Sequence, residues 1–385
     1  MIKDPQKLDA LVRDIRSFVR EQWHPIESQV EQLDAVPDAM VQTLRDKGYF
    51  GWSIPEAYGG LGLSTEELVL CAMELSQASV ALRARVGTNT GIGSEALVAD
   101  GTEAQKQRWL PRMAAGELTG CLALTEASAG SEASNIQTSA TRDGDYYLLN
   151  GSKCFITNAP VADVFTVIAR TDPASTGSQG LTAFLVERGP GLSTGKPYSK
   201  MGQAGSPVSD VYFDNCRVHR DQIIGGQEGV GFKTVMKVLN KQRLHLAALC
   251  TGPAIRMLDL AKAHVLQREQ FGQPVANFQL VQAMIADSRT EIFAARSMIV
   301  EAARARDRGE DVALPASMCK YFASEMCGRV ADRAVQMFGG SGYVADFSPI
   351  ERYYRDVRLF RLYEGTSQIH QLNIAKLALR EGDAR

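Results

Sequence analysis

The tetrapeptide Tyr363-Glu364-Gly365-Thr366 sets a carboxylate on a glycine turn at the mouth of a helix. Behind it, Ile369, Leu372, Ala375 and Leu377 recur at helical spacing, so Thr366 or Ser367 is the predicted N-cap. Gly365 lets the backbone turn sharply just before that cap. A glutamate held there by backbone geometry suits a general base working beside a polarised carbonyl. The plainer alternative is an ordinary helix start whose acidic residue complements the helix dipole.

The elements that must position this carboxylate follow an α, β, α order. In residues 1–119, Leu8, Leu11, Ile15, Phe18 and Val19 share one helical face. Leu68, Met73, Leu75 and Val80 resume the pattern after a proline- and glycine-broken stretch at 54–64. Residues 120–228 alternate in β-rich runs at 146–149, 154–156, 164–169, 181–186 and 208–213. Asp143-Gly144, Asn150-Gly151 and the glycines at 177–180 separate these runs, as in antiparallel hairpins. Residues 229–385 return to long helices, with connectors at Phe271–Pro274, Arg308-Gly309 and Gly339–Gly342.

The 385 residues suffice for two or three packed domains. A net charge of −2, from 42 basic and 44 acidic residues, lacks the basic face of a nucleic-acid binder. Seven scattered cysteines form no C-x-x-C pair and read as the reduced thiols of a cytoplasmic protein. The charged, amphipathic N-terminus is not a secretory signal, and no apolar run is long enough to span a bilayer. There is no dinucleotide-binding glycine fingerprint, P-loop or nucleophile elbow, and the five histidines stand at no metal-ligand spacing, so no metal is expected.

Several motifs keep one order along the chain. They are Gly101–Lys106 with Trp109–Pro111, Ala123–Glu126 with Ala129–Glu132, Asn150–Lys153 with Phe155–Asn158, Arg268–Gly272 with Gln279, Gln336–Gly340, Tyr354–Asp356 and Tyr363–Thr366. In this order the chain resembles the acyl-CoA dehydrogenase family. The resemblance implies an α+β fold: an N-terminal all-α domain, a middle antiparallel β-domain and a C-terminal four-helix bundle. It also implies FAD, an acyl-CoA substrate, electron-transferring flavoprotein as electron acceptor, and a homotetramer built as a dimer of dimers. The reaction it implies is α,β-desaturation of the thioester, with Glu364 taking the α-proton while the β-hydrogen leaves as hydride to FAD. An apolar cleft raises the proton affinity of such a base.

By the same resemblance, Thr125 and Thr157 meet the flavin ring and Phe155 forms a flat apolar wall where tryptophan is common. Their alternatives are ordinary strand residues. Arg268 and Phe271 reach the FAD of a neighbouring subunit, as do Gln336, Gly339 and Gly340, while Thr366 and Gln368 complete the site beside the base. Ser131, Gly365 and Arg243 would contact substrate, the last near the CoA channel. Some family members carry the base where Gln242 stands; glutamine is not basic, which leaves Glu364. Arg83 falls where glutaryl-CoA dehydrogenases have an arginine for a distal carboxylate. Its alternative is a structural ion pair with Glu74, Glu56 or Glu95. Two other readings stay open: a flavin oxidase or monooxygenase on the same fold, and an acyl-CoA-binding protein without turnover.

Overall fold

The computed structural model describes residues 1–175 and 177–381. Seven helices come first: α1 (Pro5–Phe18), α2 (Glu27–Leu33), α3 (Asp38–Asp46), α4 (Thr65–Leu75), α5 (Val80–Gly87), α6 (Glu95–Asp100) and α7 (Glu103–Ala114). Their starts are written in the sequence. Asp4 caps α1, and Ser64 with Glu67 and Thr102 with Gln105 form reciprocal capping boxes on α4 and α7.

A seven-stranded sheet follows, from β1 (Gly120–Ala123), β2 (Ser139–Asp143), β3 (Tyr146–Thr157), β4 (Val164–Arg170), β5 (Leu181–Glu187), β6 (Leu192–Thr194) and β7 (Val208–His219). Most neighbours are antiparallel, but β1 runs parallel to β4, with Gly120 opposite Val164. β2 also meets β4 in parallel, so the sheet expected to be antiparallel is mixed around β4. A second correction concerns Asn150-Gly151, which ends no strand. It lies inside β3, where the register against β7 shifts between Leu149 and Gly151. Gly151 stands there because a Cβ would sit 2.8 Å from Thr138 Oγ1, so crowding rather than chain reversal demands glycine. A second shift, between Lys153 and Ile156, puts Phe155 at φ 58° with 68% of its surface exposed.

The third part holds α8 (Gly231–Gln267), a short hairpin of β8 (Glu269–Gln270) and β9 (Gln273–Pro274), α9 (Gln279–Asp307), α10 (Ala313–Phe338), α11 (Gly340–Tyr343), α12 (Ile350–Val357) and α13 (Ser367–Glu381). Helices α8, α9, α10 and α13 form the expected four-helix arrangement, packed chiefly on α10. Val69, Ala72, Met73 and Val80 of the first helices share one hydrophobic core with Leu244, Leu249, Ala323 and Phe360. Each large apolar side chain buried there contributes about 1.5–3 kcal/mol. Gly252 of α8 makes the approach possible, since a Cβ would fall 2.1 Å from Ser76 Oγ. Helix α5 is thereby fixed against the bundle, and Arg83 with it.

Candidate active site

Glu364 lies on the short connection that follows a 3-10 turn at Arg358–Arg361 and precedes α13. Thr366 Oγ1 accepts from the Ile369 N–H at 3.2 Å, as a cap residue should. Glu364 and Gly365 are both left-handed, with φ of 54° and 95°. For a glutamate that conformation costs of order 1–3 kcal/mol and persists only where its surroundings hold it. Two buried side chains do so. Lys320 Nζ donates to the Gly365 carbonyl at 2.6 Å, and His370 Nε2 lies 3.2 Å from the Glu364 carbonyl. A carbonyl only accepts, so Nε2 carries the imidazole proton. Ser367 Oγ and Arg361 both bond Glu325 of α10, which ties the start of α13 to the bundle.

The Glu364 side chain is 12% exposed, and its Oε1 is 3.9 Å from Arg83 Nη2. Arg83 was expected either at a distal carboxylate or paired with Glu74, Glu56 or Glu95. Among the described residues none of the three glutamates named pairs with it. Glu74 bonds Arg16 and Glu95 bonds Lys241, while the carboxylate beside Arg83 is Glu364. The Arg83 guanidinium carbon also lies 5.6 Å from the Tyr363 ring centroid. Arg243 is buried, bonds Asn240 at 2.9 Å, and acts on Glu364 through space. Gln242 is buried too, its Oε1 3.2 Å from His245 Nδ1.

Burial raises the Glu364 pKa above the usual carboxylate value, and Arg83, Lys320 and Arg243 oppose that rise. Burial lowers His245 and His370 to about 3 each, so both imidazoles are neutral near pH 7. Glu364 is the carboxylate of this cluster, and burial raises its proton affinity. Buried polar atoms without a protein partner occur on Glu364 and on the two arginines that act on it: Glu364 Oε2, Arg83 Nε and Arg243 Nε. Buried polar atoms are normally paired, so this concentration marks a place where a polar ligand completes the bonding.

The other expected site residues fall into separate groups. Thr125, two residues past β1, and Thr157 at the end of β3 are half-buried, and the Thr125 carbonyl accepts from the Cys154 N–H at 2.9 Å. The Phe155 ring is 5.4 Å from that of Tyr198. Ser131 is exposed in the segment between β1 and β2, and Gln368 is exposed on the first turn of α13. Arg268, Gln336, Gly339 and Gly340 line a cavity of about 580 Å³ between the C-terminal ends of α8 and α10. Phe271, in the hairpin beside it, is 92% exposed. Among the described residues no hydrogen bond or ion pair joins this second group to Glu364.

Lys320 and His370 were missed by the sequence reading. Lys320 had a signal, because it falls among Ala316, Cys319, Ala323 and Cys327 on the buried stripe of α10. His370 is six residues beyond Glu364, one helical turn past the cap.

The helical, β and second helical parts, in that order along the chain, match the domains of one family of oxidoreductases. The chain belongs to the acyl-CoA dehydrogenase family, matching its N-terminal domain over residues 5–117, its middle domain over 121–216 and its C-terminal domain over 229–379. Members of the family are FAD-dependent oxidoreductases. The chain is 40% identical to a 3-(aryl)acrylate reductase of Clostridium sporogenes, over 96% of this chain and 98% of that one. It is 36% identical to the CarC subunit of a caffeyl-CoA reductase–Etf complex of Acetobacterium woodii, over 96% and 97%. Butyryl-CoA dehydrogenase of Megasphaera elsdenii superposes with a TM-score of 0.94 at 32% identity, covering 98% of this chain and all of that one. No helix among the described residues is long and apolar enough to cross a membrane.

Proposed function

We propose that the chain interconverts an acyl-CoA and its α,β-unsaturated counterpart, with Glu364 as the group that takes or returns the α-proton. The observation that carries this is the buried Glu364 carboxylate, held on a left-handed turn beside Arg83, with unpartnered polar atoms on it and on the two arginines that act on it. In desaturation the α C–H bond breaks toward the Glu364 carboxylate, which leaves neutral. The Glu364 N–H is the donor that the family resemblance offers to the thioester oxygen, where enolate-like charge builds up. In reduction the same residue returns the proton. The names of the reductase relatives support operation in that sense.

The surfaces present fit FAD. Phe155 offers an exposed flat ring between two half-buried threonines. Beside Gly339 and Gly340 a Cβ would meet nothing within 4 Å, and Arg268 stands at the same cavity with a charge for phosphate. Bound there, FAD supplies the acceptor for the β-hydrogen. Thr125, Phe155, Thr157, Thr366 and Gln368 are the residues that would hold it from this chain. Arg268, Phe271, Gln336, Gly339 and Gly340 would serve a neighbour's cofactor, since they form a group apart from Glu364. That division favours a homotetramer of dimers. Sedimentation of the holoprotein at tetramer mass is expected, and a monomer holding FAD stoichiometrically would contradict it. Electron-transferring flavoprotein as redox partner and a cytoplasmic setting complete the reading. The named Etf complex of one relative and seven buried free cysteines support them.

Arg83 favours a second reading of the substrate, a dicarboxylyl-CoA. Its guanidinium keeps a buried Nε with no protein partner beside the base, so it retains bonding capacity for an anion. One experiment separates the readings. The FAD holoenzyme is mixed anaerobically with straight, branched, aryl and dicarboxylyl acyl-CoAs, and bleaching of the flavin is followed. Bleaching by at least one simple acyl-CoA is expected. A marked preference for the dicarboxylyl ester establishes the second reading, and no bleaching by any of them overturns both. Rapid reoxidation of the bleached enzyme by oxygen would instead mark an oxidase.

A further inference from the structure

Lys320 has no solvent exposure and lies on the face of α10 that carries Ala316, Cys319, Ala323 and Cys327 into the core. An apolar side chain would fill that slot without the cost of removing an ammonium from water. Among the described residues no carboxylate is within ion-pairing distance of it. What it bonds is the Gly365 carbonyl, at 2.6 Å. That carbonyl belongs to one of two consecutive left-handed residues, and the other is Glu364. The second carbonyl of the turn faces His370, which is neutral and whose own residue sits on α13, the helix the turn leads into. Lys320 is therefore the side chain that ties the backbone of the turn itself to the central helix of the bundle, between the bonds that Arg361 and Ser367 make to Glu325 on either side.

We infer that Lys320 is a positioning residue for proton transfer at Glu364, its bond to the Gly365 carbonyl fixing the left-handed turn that aims the carboxylate toward Arg83 and Arg243. The inference rests on the reading of Glu364 as the base. Charge adds to geometry. The groups facing Glu364 are Arg83 on α5, Arg243 and the Cys250 thiol on α8, Lys320 on α10, the Tyr363 hydroxyl and His370 on α13. Arg83, Lys320 and Arg243 are the charged ones, and all three favour the ionised carboxylate.

The test uses the FAD holoenzyme with Lys320→Met, which keeps length and removes both the bond and the charge. Three quantities are measured: flavin reduction against pH, exchange of the substrate α-proton in D2O, and the dissociation constant of the enoyl-CoA product. A misplacement of about 1 Å, caused by a change away from the reacting atoms, costs up to about 10²-fold, so reduction and exchange should both slow by roughly 10–100-fold. The rate needs the ionised base, so its midpoint should move to higher pH, while product binding changes by no more than about threefold. Lys320→Gln keeps an N–H for the carbonyl but no charge. It should recover part of the rate and retain the raised midpoint.

Wild-type rates and midpoints in these variants would overturn the inference. So would a loss of rate matched by an equal loss of product binding at an unchanged midpoint. If Lys320→Met does not assemble, an unchanged midpoint in Lys320→Gln overturns it alone. In a Glu364→Gln background, Lys320→Met should lower the residual rate no further. A Glu364→Gln enzyme that reduces its flavin normally would instead sink the base reading, which keeps the two failures apart.

Discussion

Opposing influences meet at Glu364. Burial favours its neutral form, while Arg83, Lys320 and Arg243 favour the carboxylate, and the result is a pKa raised above the ordinary value. Desaturation needs the ionised form, so its rate should climb as pH rises through that raised pKa and level off above it. Arg83→Leu removes the nearest cation, at 3.9 Å. The midpoint should move upward, with a roughly tenfold loss of rate on the acidic limb. Stopped-flow reduction across pH checks this, and an unmoved midpoint would contradict it. Glu364 stood out in the sequence as the candidate base because glycine and a capping threonine follow it, and because Gln242 is not basic. The partner of Arg83 was not legible. Three nearby glutamates looked equally available, and only the packing of α5 on the bundle brings Arg83 to Glu364. Lys320 escaped notice for a related reason: a lysine on an alanine-rich helix reads as solvated until the buried stripe is known.

Among the elements, the cap beside Glu364 was read well because it is local. Thr366, one of the two residues expected to cap α13, bonds within one turn, whereas the capping boxes on α4 and α7 were found only in the structure. The strands were read less well, since Asn150-Gly151 imitates a hairpin turn while crowding against Thr138 is what requires the glycine. Contacts between elements were hidden altogether. The clearest case is Asp356 on α12, buried, whose carboxylate accepts from the Gln203 N–H while the Gln203 side chain donates to the Asp356 carbonyl at 3.0 Å. Burial raises the Asp356 pKa to about 7. A carboxyl raised in the folded state binds more protons there than when unfolded. Its contribution to stability is therefore complete below about pH 4 and is lost as pH rises through 7, at up to about 1.4 kcal/mol per unit. Asp356→Asn keeps an acceptor oxygen and cannot ionise. Thermal melts of the variant should flatten between pH 5 and 8 and match or exceed the wild type at pH 8. A variant that falls with pH as steeply as the wild type would contradict this assignment.

For the molecule as a whole, the α, β, α order was legible because helical and strand periodicities change sharply along the chain. The shared core was not, since Val69 and Met73 share it with Leu249 and Ala323, far away in sequence. That core is what lets α5 and α10 approach the Glu364 turn from opposite parts of the chain, so the site depends on two domains being fixed together. The residues proposed to serve a neighbour's cofactor, Arg268 and Phe271 among them, are exposed in the single chain. The account is tested most directly on the assembled FAD holoenzyme, with Glu364→Gln, which preserves shape and removes basicity. Anaerobic reduction of the flavin by the best acyl-CoA should slow by about 10²–10⁴-fold, the usual loss for a positioned base, while FAD content and enoyl-CoA binding persist. Reduction at a near-normal rate in Glu364→Gln would contradict the account.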